Sequence, residues 1–315
     1  MTDVKVTVSA DGKKEQEICD ILKVVMVKSA DTPCVYFECT VHEPMLMSNV
    51  NYVNCYVNGN AVFSGIVDKR IHSASREGSV TNIFARSTVG ALLLDNEAMP
   101  RVYNYPRLST IAAIHGYPYG IKGIDTQSDR GLPFFTVVKG ISEWDVISLY
   151  VRQAYGFLPY INEKGYLVAK KRHKNSALVI SNQSEDGLAY MSVNITDNPH
   201  KKLSHVYICK DDGSYTLVNN NEAGTVRRRR FHVPSSQWVL FPRWSVNEII
   251  SQSMTDSFHA EIELFGHVEL DLGSDILLPD FYSSDELFEV TKVEHSFFDK
   301  VVTKVSLGKS EAQSR

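Results

Sequence analysis

The sequence predicts a mainly β fold in which a small α+β unit is inserted between two strand-rich regions. Three observations carry this. Short runs alternate apolar and polar residues from Val4 to Arg86 and again from Ser192 to Leu307, the period of strands with one buried face. Turn residues separate those runs at short intervals. Between about Asn96 and Val168 the pattern changes to prolines, glycines and one clearly amphipathic helix.

The N-terminal region reads as six or so short strands. Val4, Val6 and Val8 alternate up to the turn signal Asp11-Gly12-Lys13. Residues 21–27 are denser, suiting a strand buried on both faces or a short strand with a bulge. Val35, Phe37, Cys39 and Val41 alternate again. Val53, Cys55 and Val57 alternate with Asn54, Tyr56 and Asn58, and Asn58-Gly59-Asn60 tolerates the positive φ of a tight hairpin turn. The return strand sets Ala61, Phe63, Gly65 and Val67 against Val62, Ser64, Ile66 and Asp68. A third strand over 80–86 ends in Ser87-Thr88, placed to cap a short apolar helix through Leu94. Such spacing favours a barrel or sandwich over a parallel sheet with crossover helices.

After Asn96, Met99-Pro100 and Tyr105-Pro106 interrupt regular structure. Ser109 introduces a short helix that His115-Gly116 ends. The glycine-rich residues 116–133 read as a long loop, followed by a strand over 134–138. Ser142, with Asp145 three residues on, caps a helix whose Trp144, Ile147, Val151 and Tyr155 share a face, and Gly156 ends it. A hairpin turning at 162–165 closes the insert.

Further on, residues 205–209 form a strand and Asp211-Asp212-Gly213 a turn. A strand over 226–233 contains Arg227, Arg228, Arg229 and Arg230. Ser245 with Glu248 matches a capping box for a helix through about Asp256. Ala260, Ile262 and Leu264 then share a strand face, Gly266 permits a bend, and residues 268–278 continue with a break at 273–275. Strands over 288–293 and 301–307, joined around Asp299-Lys300, finish the pattern.

A chain of 315 residues, 43% hydrophobic, can bury one large core or two to three smaller ones. The net charge of −4 speaks against a general nucleic-acid coat. The five cysteines (Cys19, Cys34, Cys39, Cys55, Cys209) form no CxxC pair, and several lie in strand-like runs. They read as small apolar core residues rather than metal or redox groups. No apolar signal core opens the chain, and no run approaches the ~20 apolar residues of a membrane helix. Synthesis and folding in a reducing cytoplasm are therefore expected.

Catalytic motifs are missing: there is no glycine-rich phosphate or dinucleotide signature, no HExxH and no GxSxG. The ten histidines are scattered and read as surface or satisfied core residues. No catalytic residue, cofactor or metal ligand is nominated, and the chain is expected not to be an enzyme. Plentiful carboxylates leave a glycosidase-like pair open without distinguishing one. Two basic runs stand out: Lys170, Lys171, Arg172 and Lys174, and the four arginines from Arg227. In a strand, two of those arginines point to each face. Three readings stay open for them: a charged edge that discourages aggregation, a contact to an acidic partner or phosphate, and nucleic-acid recognition. The aromatics do not interleave with these runs in a stacking pattern, which weighs against the last.

The string Tyr56-Val57-Asn58-Gly59-Asn60-Ala61-Val62-Phe63-Ser64-Gly65-Ile66-Val67, with Arg86-Ser87 and Leu93-Leu94-Asp95 after it, resembles the N-terminal signature of baseplate hub proteins of contractile-tailed phages. Residues 138–147, Gly156-Phe157 and Lys164-Gly165-Tyr166-Leu167 look like that family's middle domain. Glu263-Leu264-Phe265-Gly266, residues 272–278 and the closing hairpin from Glu289 to Leu307 look like its C-terminal barrel. The family includes the Mu-like hub protein, the P2 late-control D-type protein and the more distant T4 hub, and the same fold forms the base of type VI secretion spikes.

The resemblance implies two tube-like β-barrel domains plus a small middle domain. The first barrel would comprise residues 1–95 and about 170–232, the inserted α+β domain 96–169, and a helix with the second barrel 233–315. It implies a homotrimeric ring adapting the sixfold tail tube to the threefold central spike, since two related domains per subunit present six similar contacts. Implied partners are the central spike protein, the tail tube or tube-initiator protein, and further the tape-measure and baseplate wedge proteins, with no membrane and no sequence-specific nucleic acid. A late protein of the virion's tail baseplate, assembled in the host cytoplasm and serving genome ejection, is the implied setting. With no fused lysozyme, needle or peptidoglycan-binding module read after the second barrel, those activities are not expected. Asn54, Asn58, Ser64, Asp68, Arg227, Arg228, Arg229 and Arg230 are the candidate interface or lumen residues. The rival readings are a tail-associated cell-wall hydrolase and a solitary carbohydrate- or receptor-binding β module.

Overall fold

The computed structural model describes residues 3–10, 14–42, 50–76, 78–162, 164–170, 177–210, 212–224, 228–233, 242–283, 286–297 and 301–309. The first region holds β1 (Val4–Ser9), β2 (Gln16–Glu17), β3 (Ile21–Ser29), β4 (Val35–His42), β5 (Tyr52–Val57), β6 (Asn60–Ser75) and β7 (Gly78–Ser87), and ends in helix α1 (Thr88–Asp95). These strands follow one another in the order β3-β4-β7-β6-β5-β1-β2. Their sheet surrounds one core built on Val6, Val24, Phe37, Cys55, Phe63 and Ile83. Alternation decides which side chains enter it: β5 buries Val53, Cys55 and Val57 and turns Asn54 and Tyr56 outward. Burial pushes the thiols of Cys39 and Cys55 up to about 12, as expected of small core residues. Cys34 is also buried, whereas Cys19 is exposed and Cys209 half-buried. The turns read at Asp11-Gly12-Lys13 and Asp299-Lys300 lie outside the described residues.

Asn58 and Gly59 have φ of +50° and +80°, the positive pair that a two-residue type I′ hairpin requires. Gly65 meets a different constraint. A Cβ there would stand 2.4 Å from the Arg86 carbonyl oxygen and 2.4 Å from the Phe63 ring. That ring covers the glycine and stacks on Phe37 at 4.7 Å. Gly65→Ala is expected to lower stability by about 2 kcal/mol, because backbone must shift to admit the methyl group. Urea unfolding checks this, and an unchanged midpoint would contradict it.

The insert holds β8 (Arg101–Asn104), α2 (Leu108–His115), β9 (Gly123–Asp125), β10 (Phe134–Val137), α3 (Glu143–Tyr155), β11 (Tyr160–Ile161) and β12 (Tyr166–Val168). Its own core includes Leu93, Leu108, Ile111, Phe135, Ile147 and Tyr150. The Ser142–Asp145 capping box starts α3 as predicted, and Gly156 ends it at φ +83°. Two stretches read as irregular contain strands: β8 pairs with β10, and β9 lies parallel to β12. Each has only three or four residues and a distant partner, so no local period reveals it. Ser87 precedes α1 but makes no cap hydrogen bond; its Oγ accepts from the Val35 amide at 3.1 Å.

The last part holds β13 (Leu178–Val179), β14 (Tyr190–Asp197), β15 (His205–Cys209), β16 (Tyr215–Asn219), β17 (Arg229–His232), α4 (Pro242–Ser257), β18 (Phe258–Phe265), β19 (Asp275–Leu277), β20 (Leu287–Phe297) and β21 (Val302–Lys309). The order β14-β18-β21-β20, with β19 beside β20 and β13 beside β19, encloses a second core of Ile180, Ile262, Leu264, Phe288, Val290 and Val305. Helix α4 begins at Pro242, so Ser245 lies within the helix and not before it. The segment 170–232, expected to return to the first barrel, divides differently. β13 and β14 pair with β19 and β18, while β15, β16 and β17 form a separate sheet against α4. Alternation identifies a strand but leaves its hydrogen-bonding partner to long-range register.

The two strand-rich regions share one continuous sheet, and β20 is the seam. Its first residues pair with β19, and residues 292–297 pair with β3. A register shift between Val290 and Lys292 moves the inward positions from Phe288 and Val290 to Val293, His295 and Phe297. Phe297 enters the first core and Val293 the second, so a single strand serves both.

Candidate functional site

Asp68 and Asp95 converge on Arg86. Asp68 sits where the β6–β7 register shifts between Val67 and Lys69, and such a bulge re-aims a side chain. Its carboxylate accepts from Arg86 Nε and Nη2, each at 2.7 Å. Asp95, the last residue of α1, accepts from Arg86 Nη1 and Nη2 at 2.9 and 2.8 Å. One guanidinium therefore ties β6, β7 and α1 together, using the fork geometry that suits carboxylates. Hydrogen bonding to Arg86 holds the Asp95 carboxyl below its ordinary range, and both carboxylates drive the guanidinium pKa upward. Held ionised by Arg86, Asp95 is not poised as a general acid, which needs a raised pKa.

The other candidates are dispersed along the sheet. Asn54 and Ser64 face each other across β5 and β6, and Asn54 Nδ2 donates to Glu15 at 3.1 Å. Asn58 is a turn residue whose Oδ1 accepts from the Asp3 amide at 3.0 Å. Among the arginines, Arg227 lies outside the described residues, as do Lys171, Arg172 and Lys174. Arg228 precedes β17 and donates to the His200 carbonyl. Arg229 and Arg230 lie opposite His205 and Val206 of the parallel β15, so their side chains take opposite faces.

That small sheet has one covered and one open face. Val206 and Ile208 are buried toward Val246 of α4. On the other side Tyr207 stacks on Phe231 at 4.9 Å, Tyr215 meets Phe231 edge-on at 5.3 Å, and the Arg229 guanidinium lies 5.7 Å from the Phe231 ring. Aromatics and arginine thus do share a surface. Arg229 and Phe231 are neighbours on one face of β17, but the two tyrosines come from β15 and β16, which hid the pattern.

The insert holds a buried polar cluster that residue spacing did not announce. His115 at the end of α2 and Glu143 at the start of α3 are 2% and 6% exposed. His115 Nδ1 bonds Glu143 Oε2, its Nε2 lies 2.7 Å from the Tyr103 hydroxyl, and Tyr119 donates to Glu143 Oε1 at 2.8 Å. Burial raises the Tyr103 pKa, so its hydroxyl keeps a proton that it can donate to Nε2, which leaves Nδ1–H to face the carboxylate. The cluster bolts α2, α3, β8 and the turn at 117–119 together. Among the described residues, no three His, Cys, Asp or Glu converge as a metal site, and no helix is long and apolar enough to cross a membrane.

No protein-family model matches the chain, and no curated protein matches it in sequence. Solved structures do. A tail protein from Neisseria meningitidis MC58 superposes with a TM-score of 0.78 at 16% identity, over 98% of this chain and 97% of that one. The 43 kDa tail protein of prophage MuSo2 from Shewanella oneidensis gives 0.77 at 18% identity, over 98% and 99%. The chain has the fold of phage tail proteins. A type VI secretion component of E. coli, itself structurally similar to the T4 tail proteins gp27 and gp5, gives 0.59 at 8% identity over 98% and 77%. The tail-protein fold is the mainly β architecture with an α+β insert that the hub resemblance implies.

Proposed function

We propose that this chain is a structural component of a contractile phage tail or related injection particle: a homotrimeric baseplate hub that adapts a sixfold tube to a threefold spike. The observation supporting this reading is the pair of β cores carried on one continuous sheet through β20 and β3. Three such chains would supply six similar β units around an axis, which is what a change from threefold to sixfold symmetry needs. The function is then assembly and force transmission. Its partners would be the spike on one side and the tube or its initiator on the other, within the virion. Asn54 and Ser64, facing outward together, would meet the lumen or a neighbour, whereas Asn58 and Asp68 would support the wall through the bonds they make. Native mass spectrometry and negative-stain imaging test the reading at micromolar concentration. Three chains closing a ring are expected; a monomer with no ring would overturn it.

A further inference from the structure

Among the described residues none covers the open face of the β15–β17 sheet, although its composition is that of a contact surface. Phe231 is 54% exposed and Val233 68%, while the opposite face is packed on α4. Contiguous exposed aromatics with an arginine among them mark interaction sites far more often than open solvent surface.

Charge indicates the partner. Residues 200–233 carry seven Lys and Arg against three Asp and Glu, a net charge of +4 in a chain whose total is −4, so the remainder carries −8. A second copy of the same chain therefore offers this basic unit a surface of opposite sign. One groove on the insert has matching character. It is lined by Asp95, Glu97 and Asp145 around the apolar Leu94 and Ile141; Asp95 is held by Arg86 and Asp145 by Ser142, so Glu97, which accepts from the Gly140 amide, is the carboxylate best placed for a partner. Nearby in sequence, Met99 is 77% exposed. Carboxylates around an apolar floor complement an arginine set among aromatic rings.

We propose that the aromatic, arginine-bearing face of β15–β17 in one copy docks into the Asp95–Glu97–Asp145 groove of the next. Two different patches on one chain make a head-to-tail contact, which closes into a ring when the rotation allows it. This inference rests on the trimeric reading and names the surfaces that reading leaves open.

The test uses the full chain. Arg229→Glu and Glu97→Lys are each expected to weaken association at least tenfold by native mass, with unchanged circular dichroism. The double variant Arg229→Glu/Glu97→Lys is expected to recover most of the association, because the charges are exchanged. A second measurement needs no variant: carbodiimide cross-linking of mixed isotope-labelled wild-type chains should give intermolecular links from Lys210 to Glu97 or its acidic neighbours. A wild-type trimer cross-linked elsewhere, or single variants that associate as wild type does, would overturn this interface and leave the hub reading standing. A wild-type monomer would overturn both.

Discussion

Replacing Glu143 with alanine is expected to destabilise the protein by about 4 kcal/mol, because two donors lose one buried, charged acceptor at once. The loss has identifiable parts. The His115 Nδ1–H and the Tyr119 hydroxyl both lose their acceptor, and the imidazole is too deeply buried to be rehydrated without opening the insert. The carboxylate also occupies the first turn of α3, where the helix dipole favours negative charge. Glu143→Gln keeps the shape and one oxygen, so about half of that loss is expected. Urea unfolding of both variants measures the difference. Equal stability of Ala and Gln variants, or ring nitrogen shifts placing the His115 proton on Nε2 in the native protein, would refute the assignment.

Arg86→Ala is expected to cost about 3 kcal/mol, because four charge-assisted hydrogen bonds go at once and two carboxylates remain facing each other. Partial exposure of Asp95 moderates the effect through solvent screening. A double-mutant cycle with Asp95→Ala should show coupling, and additive losses would mean that the contact carries nothing. The pH dependence has a definite sign. The Asp95 carboxyl is held below its ordinary 3.8 by Arg86, so this contribution is fully present above that value and disappears as pH falls through the lowered one. In Arg86→Ala that part of the acid loss should vanish, leaving a flatter stability profile below about pH 4. High salt should shrink the wild-type advantage in the same direction.

Both sites show how far residue patterns reach. Arg86 and Asp95 stood in the N-terminal signature and Asp68 among the candidates, yet nothing in their spacing joined them. The β6 bulge does that, by turning Asp68 toward the neighbouring strand. His115 and Glu143 are 28 positions apart and meet only because α2 ends beside the start of α3. Their nearest sequence signal was the Ser142 cap, which fixes where α3 begins but not what its first turn touches.

Local residue patterns set which faces are buried and where the long elements stop. Alternation in β5 and β20, the Asn58-Gly59 turn, the Ser142–Asp145 cap and Gly156 are local preferences written in a few neighbouring residues. Strand pairing comes from the assembled fold. It moved β13 and β14 to the C-terminal core, separated β15–β17 into a sheet of their own and ran β20 from one core into the other. The reason is physical: a strand's period is set by its own backbone, but its partner is chosen by register and packing with residues far along the chain.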